Sequence, residues 1–187
     1  MTNKETCLHH LHQARVEHAR WVGMIKLLSA GLLDTNKEEL ELNMSEIDFG
    51  KWLDQEAMLF RDSTSVDTLY EIEALWKAIH NHFMQIYEVC VSKHKSSLFG
   101  RKKPLSDGAI KISAVHYQEI IILSDKLKQN LRLLEKQLKA KGEDEFETFG
   151  TYLTATENKK DLEIAEKSKK ESSKNVVSGA RGAYVTE

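Results

Sequence analysis

The chain has 187 residues, 41% of them hydrophobic and 30% charged, which fits one globular domain plus an appendage. Its 27 Lys and Arg residues nearly balance 29 Asp and Glu residues, so no net field favours nucleic acid or an anionic membrane. One proline, nine glycines and two cysteines permit long helices and exclude both a fold of many tight turns and a disulfide framework.

Hydrophobic periodicity predicts a first helix from about Lys4 to Gly31, where the glycine is a plausible stop. Residues 34–47 are acidic and weakly periodic, which indicates a loop with at most one helical turn. A short second helix opens at Phe49 and fades near Phe60. The apolar face of the first helix comprises Leu8, Leu11, Ala14, His18, Trp21, Val22, Ile25 and Leu28.

A third helix is predicted from about Val66 to Lys95, and residues 96–104 form a basic loop. Ser106 and Asp107 cap a fourth helix that ends near Lys141. The third helix has an apolar face of Leu69, Ile72, Trp76, Ile79, His80, Phe83, Ile86, Tyr87 and Cys90. The face assigned to the fourth comprises Ile112, Val115, Ile120, Leu123, Leu127, Leu131, Leu134 and Leu138.

These patterns predict an all-α protein: a four-helix bundle over residues 1–141, followed by a disordered, charged C-terminal tail over 142–187. The tail has too few large apolar residues to offset its ordering entropy, although a frayed helix near 157–171 is compatible with its composition. No apolar run approaches the length of a bilayer span, and no secretory signal is visible. We therefore expect a cytoplasmic protein without membrane contact.

No residue set in the sequence fits an enzyme template, so catalysis is not expected. Phosphate-binding glycine motifs are absent, and the apolar faces carry no repeated Glu-x-x-His pairs. Cys7 and His10 lie one helical turn apart and could bind a metal weakly, but solvated side chains are the commoner outcome near a terminus. The basic loop from Lys93 to Lys103 is the best phosphate or nucleic-acid candidate, and a solvated interhelical loop is the favoured interpretation of it.

Three motifs together resemble a known family. His18-Ala-Arg-Trp21 matches an H-x-x-W motif, Phe49-Gly50-Lys51-Trp52 follows about two dozen residues later, and His80 ends the series in the third helix. This order resembles the chemoreceptor zinc-binding (CZB) domain, a four-helix bundle of bacterial soluble chemoreceptors and diguanylate cyclases. The resemblance covers roughly residues 5–138 and implies a role in chemotaxis or cyclic-di-GMP signalling.

The resemblance also implies where a metal site would lie, and the sequence departs from it. The family binds zinc through the histidine of H-x-x-W, a cysteine two positions before the phenylalanine, and both histidines of an H-x-x-x-H motif. His18 and His80 match the first and last of these ligands. Ile47 stands at the cysteine position and Trp76 at the remaining histidine, so the set is incomplete.

Two hypotheses follow from this incomplete set. The first is a regulatory module without high-affinity zinc, which acts on a protein partner in trans, with a homodimer as one candidate assembly. In it, His18 and His80 are core histidines that hydrogen-bond each other, a backbone carbonyl or water. The second is a zinc or other transition-metal sensor in which Asp48 or Glu46 replaces the missing ligands.

Overall fold

The computed structural model of the chain describes residues 1–33, 40–61, 64–92 and 105–159. Contacts divide the chain into two compact units, residues 1–143 and residues 144–187. Within the described ranges the ordered elements are helices and no residue belongs to a strand, which confirms the all-α fold class. No helix in those ranges has an apolar stretch long enough to cross a bilayer.

Helix α1 spans Asn3–Ser29, close to the predicted bounds. Thr2 caps its first turn, because the Thr2 hydroxyl accepts from the Glu5 amide while the Glu5 carboxylate accepts from the Thr2 amide. The helix ends before Gly31, whose φ of 70° is a left-handed conformation that glycine adopts without strain.

Helix α2 spans Asp48–Gln55 and is followed by a 3₁₀ turn at Ala57–Phe60. Its backbone approaches the preceding loop closely at Gly50. A Cβ atom at this position would overlap the carbonyl oxygen of Met44 and would lie 3.3 Å from Nε1 of Trp76. Only glycine fits here, which gives the FGKW motif a packing role.

Helix α3 spans Val66–Tyr87 and ends in a π turn at Glu88–Ser92. Helix α4 spans Asp107–Ala140, and the Ser106 hydroxyl caps it by accepting from the Ala109 amide, as the sequence predicts. The basic loop from Lys93 to Lys103 lies outside the described residues.

The bundle core forms because α4 packs against both α3 and α1, while α1 also contacts α2 and α3. Helix α4 contributes aliphatic side chains to this core, as α1 and α3 do. Its heptad-like leucines, considered above as part of the apolar face, are all buried and pack as ordinary core: Leu127, Leu131, Leu134 and Leu138.

The predicted apolar face of α4 is wrong at Ile112 and Val115. Ile112 is 50% exposed and Val115 is 63% exposed, whereas Ser113 and Ser124 are buried in their place. The physical reason is helical geometry: residues 113, 120, 124 and 127 share one face, and 112 and 115 do not lie on it. Small hydroxyl residues therefore face the neighbouring helices, and two aliphatic side chains face outward.

The sequence predicts disorder from residue 142 onward, and the described residues of that stretch, 142–159, are largely helical. Residues Glu143–Phe146 form a 3₁₀ turn, and residues 147–159 form a fifth helix, α5, which begins ten residues before the predicted frayed helix. Phe146 and Phe149 are buried, and their spacing of three places both on one helical face. These two buried rings supply apolar area that stabilises the helix. An average composition over residues 142–187 gives no sign of them. Residues 160–187 lie outside the described ranges.

Gly50 and Gly23 give a matched test of this packing. Gly50→Ala should lower the free energy of unfolding by about 2–3 kcal/mol, because the new methyl group overlaps the Met44 carbonyl. Gly23 lies in α1, where an added methyl group would have no neighbouring atom within 4 Å, so Gly23→Ala should raise stability by about 0.5–1 kcal/mol. Urea unfolding of both variants measures the difference, and equal stabilities would contradict the close approach at Gly50.

Candidate functional site

The residues of the three sequence motifs meet in a cluster of aromatic rings between α1, α2 and α3. Trp76 of α3 is buried, and its ring centroid lies 4.9 Å from that of Trp21 on α1 and 4.9 Å from that of Phe49 on α2. Trp52 joins through Phe49, at 5.6 Å, and Phe83 joins through Trp21, at 5.0 Å. Residues of the H-x-x-W and FGKW motifs therefore belong to one packed cluster and contact the same ring, that of Trp76.

His18 is the most enclosed titratable group of this cluster, with 1% of its surface exposed. Its ring contacts Phe49 at 5.2 Å and Trp76 at 6.0 Å. Neither ring nitrogen has a hydrogen-bond partner among the described residues. Burial lowers the pKa of His18 to about 4, and the positive charge of Lys128 adds to the effect, so the ring is neutral at physiological pH.

His80 is only half-buried and has a different environment. Its Nε2–H donates to the backbone carbonyl oxygen of Leu42, over 2.9 Å, which ties the loop before α2 to α3. Because a carbonyl can only accept, Nε2 carries the hydrogen and only Nδ1 remains to bind a metal. The expected bond to a backbone carbonyl is thus present for His80.

The structure does not bring His18 and His80 together. No hydrogen bond or ring contact joins them in the described part of the chain, and the indole of Trp76 contacts both, at 6.0 Å and 6.5 Å. Ile47, at the family's cysteine position, is buried and directly precedes α2. Two of the four ligand positions that the resemblance implies are therefore occupied by buried apolar side chains, Trp76 and Ile47.

The two carboxylates proposed as replacement ligands lie at the surface. Asp48 and Glu46 have side chains that are 67% and 57% exposed, and both face Lys51, at 3.6 Å and 3.9 Å. His18 is enclosed, so these groups do not share its surroundings. Among the described residues no three His, Cys, Asp or Glu side chains are grouped to hold a metal ion.

Cys7 and His10, whose spacing raises a weak metal site near the amino terminus, have different surroundings. Burial raises the pKa of the Cys7 thiol to about 12, and the nearby Glu56 carboxylate contributes further, so no thiolate is available near neutral pH. Nδ1 of His10 lies 2.8 Å from a carboxylate oxygen of Glu56. The two side chains thus serve packing and pairing.

Sequence reasoning missed one pair of titratable residues. Nδ1 of His82 on α3 lies 3.0 Å from Nδ1 of His116 on α4, and both side chains are half-buried. One of the two nitrogens must donate and the other accept, so the rings share a single hydrogen between them. The two residues are 34 positions apart in the sequence, so no local sequence pattern predicts their contact.

A surface cavity of about 590 Å³ opens beside the motif residues. Trp21, Ile47 and Phe49 contribute apolar walls, and Glu17 and Arg20 place charges of both signs on its lining. Two rings of the cluster, Trp21 and Phe49, therefore border the cavity, and His18 does not line it.

His18 gives the protein an acid sensitivity with a defined direction. The folded-state pKa of His18, about 4, lies below the unfolded value of 6.5. The neutral ring therefore contributes its whole share of the free energy of unfolding above pH 6.5, and this share is lost as the pH falls towards 4. The loss should amount to about 3 kcal/mol, from 1.36 kcal/mol per pKa unit. His18→Leu should remove this part of the pH dependence, measured by urea unfolding across that range.

The exposed His12 supplies the control for this test. His12→Gln removes one imidazole from the surface and should leave the acid sensitivity of the wild-type chain in place. An unchanged slope of stability against pH in His18→Leu would contradict a neutral, enclosed imidazole at position 18.

Comparisons of the chain with protein-family models, with curated proteins and with solved structures found no match. The similarity to the CZB family therefore stays a resemblance that the three motifs carry.

Proposed function

We propose that the chain is a bacterial cytoplasmic regulatory module of the CZB type that acts through protein–protein interaction in signal transduction. Chemotaxis and cyclic-di-GMP signalling are the pathways that the resemblance implies. The module is not an enzyme and works without high-affinity zinc.

The observation that carries this proposal is the position of Trp76. Its indole is buried and touches both His18 and His80, at the place in the helix where the family has a zinc ligand. Zinc requires four donors at about 2.0–2.3 Å in tetrahedral geometry, and this cluster offers two imidazoles that do not meet. The packing that a metal ion would organise is supplied by aromatic rings instead.

A second observation supports a binding role. The outward face of α4 carries Ile112, Val115 and Ile122, each at least 50% exposed, while the opposite face of the same helix is buried in the core. Exposed aliphatic side chains grouped on one helical face are typical of interaction surfaces. The metal-sensor hypothesis has no comparable support, since its carboxylates face Lys51 at the surface.

Elemental analysis tests the absence of high-affinity zinc. Protein purified without added metal, and protein dialysed against zinc and then against buffer, should both hold far less than one zinc per chain. His18→Ala should give the same metal content as the wild-type chain. A stoichiometric metal that His18→Ala loses and His12→Gln keeps would establish the sensor hypothesis instead.

Restoring the family's ligands tests the resemblance directly. The double variant Ile47→Cys with Trp76→His supplies the thiolate and the imidazole that the chain lacks, so it should bind zinc more tightly than either single variant or the wild type. Competition with a coloured chelator measures the affinity, and circular dichroism confirms the helical fold. A folded double variant without a gain in affinity would show that the motifs do not mark a CZB-type site.

Affinity purification of the tagged full-length chain from its own cells tests the relay role. We expect a chemoreceptor, a coupling protein or a cyclic-di-GMP enzyme to copurify, and a variant with charge on the α4 face, Ile122→Glu, to lose it. Recovery of none of these classes with the wild-type chain would contradict the proposed pathway.

A further inference from the structure

The contact between His82 and His116 places two metal-binding side chains next to each other. His82 belongs to α3 and His116 to α4, and their Nδ1 atoms are 3.0 Å apart. The ring centroids are 5.3 Å apart and the ring planes are tilted by 50°, so the rings meet through these nitrogens and do not stack. An imidazole nitrogen binds a metal ion whenever it carries no hydrogen. The two helices therefore bring two donors to one point.

The surroundings of the pair hold the two rings in place and leave them accessible. Both side chains are half-buried, in contrast to the enclosed His18. Ile79 on α3 and Ile120 on α4, each one helical turn from a ring of the pair, are buried completely. The backbone that carries each imidazole is thus fixed by core packing. Donors that are already in position lose little freedom when an ion binds.

The distance between the two nitrogens indicates which metal ions fit. Two donors bound to one ion at about 2.0–2.1 Å lie about 2.8–3.0 Å apart at a right angle and about 3.3–3.4 Å apart in a tetrahedron. The observed 3.0 Å agrees with the right angle. Right angles between neighbouring nitrogen donors are typical of square-planar and tetragonal Ni²⁺ and Cu²⁺, whereas protein-bound zinc is usually tetrahedral. The spacing therefore favours Ni²⁺ or Cu²⁺ over zinc.

We propose that His82 and His116 form a two-imidazole binding site for Ni²⁺ or Cu²⁺, in which water completes the coordination of the ion. The ion takes the place of the hydrogen that the two Nδ1 atoms share. This hydrogen moves to Nε2 of its own ring, so both imidazoles stay neutral and a modest reorientation turns both Nδ1 lone pairs towards the ion. The site is separate from the positions of His18 and His80, and the inference does not depend on the proposed function.

The two donors come together only in the folded chain. They are 34 positions apart in the sequence, and the packing of α4 against α3 brings them into contact. An ion that both rings bind is therefore held by the folded state in preference to the unfolded state, and it stabilises the bundle by mass action. The free energy of unfolding thus depends on the metal concentration.

Calorimetric titration of the full-length chain with NiCl₂, without a polyhistidine tag, tests the site. The wild type should bind Ni²⁺ at this site, and His82→Gln and His116→Gln should each weaken that binding by about a hundredfold, because the second donor then no longer binds intramolecularly. Circular dichroism confirms that each variant is folded. Binding that either variant leaves unchanged overturns the proposal, and so does a wild-type chain that binds no Ni²⁺.

Two control variants show which histidines matter. His9→Gln combined with His12→Gln removes two exposed imidazoles that lie three positions apart on α1, and this double variant should keep the wild-type affinity at the site. His18→Ala should keep it too, which separates the site from the metal-sensor hypothesis. Loss of the Ni²⁺ binding in either control would assign it to other histidines and overturn the proposal.

The geometry has its own test. Electron paramagnetic resonance of Cu²⁺ bound to the wild-type chain should give an axial spectrum with two nitrogen donors, and His116→Gln should leave one. Zn²⁺ should bind the wild type more weakly than Ni²⁺, because the spacing is short for a tetrahedral ion. A single nitrogen donor in the wild type, or a zinc affinity at or above that for Ni²⁺, contradicts the right-angle arrangement.

Discussion

The burial of one indole ring organises this bundle. Trp76 contacts α1 through Trp21 and α2 through Phe49, and the contact is possible because Gly50 lets the α2 backbone approach both the ring and the Met44 carbonyl. The register of the short helix α2 against the long helices thus depends on a residue without a side chain. The large side chain of Trp76 and the absence of a side chain at Gly50 are therefore complementary in shape.

This solution has a polar cost. Nε1 of Trp76, Nε1 of Trp21 and both ring nitrogens of His18 are buried without hydrogen-bond partners among the described residues. Burying such groups unsatisfied costs free energy, so the cluster must recover it from the apolar area of its rings. In the CZB family, as the resemblance implies, a metal ion would be bound by an imidazole nitrogen at the position of His18; an indole nitrogen only donates and cannot bind a metal. The structure has tilted and edge-on aromatic contacts in that place, which is why the proposed function assigns zinc no role.

The long helices could be predicted from the sequence because their apolar periodicity and caps agree, as at Ser106 and Gly31. The face of α4 could not be assigned correctly, since that helix carries aliphatic residues on two sides and only tertiary contacts decide which side is buried. Composition over the whole tail masked Phe146 and Phe149, whose local spacing supports a helix. The motifs pointed to several residues of the aromatic cluster but not to the ring contacts themselves. The His82–His116 contact depends on how α3 and α4 dock and leaves no local signal in the sequence.

The aromatic cluster also makes the molecule optically simple. The chain has three tryptophans, and all of them, Trp21, Trp52 and Trp76, belong to the cluster. The intrinsic emission of the protein therefore reports a single location, the junction of α1, α2 and α3, without any attached dye. A conformational change at that junction should change the emission spectrum, whereas a change confined to the far side of α4 should not.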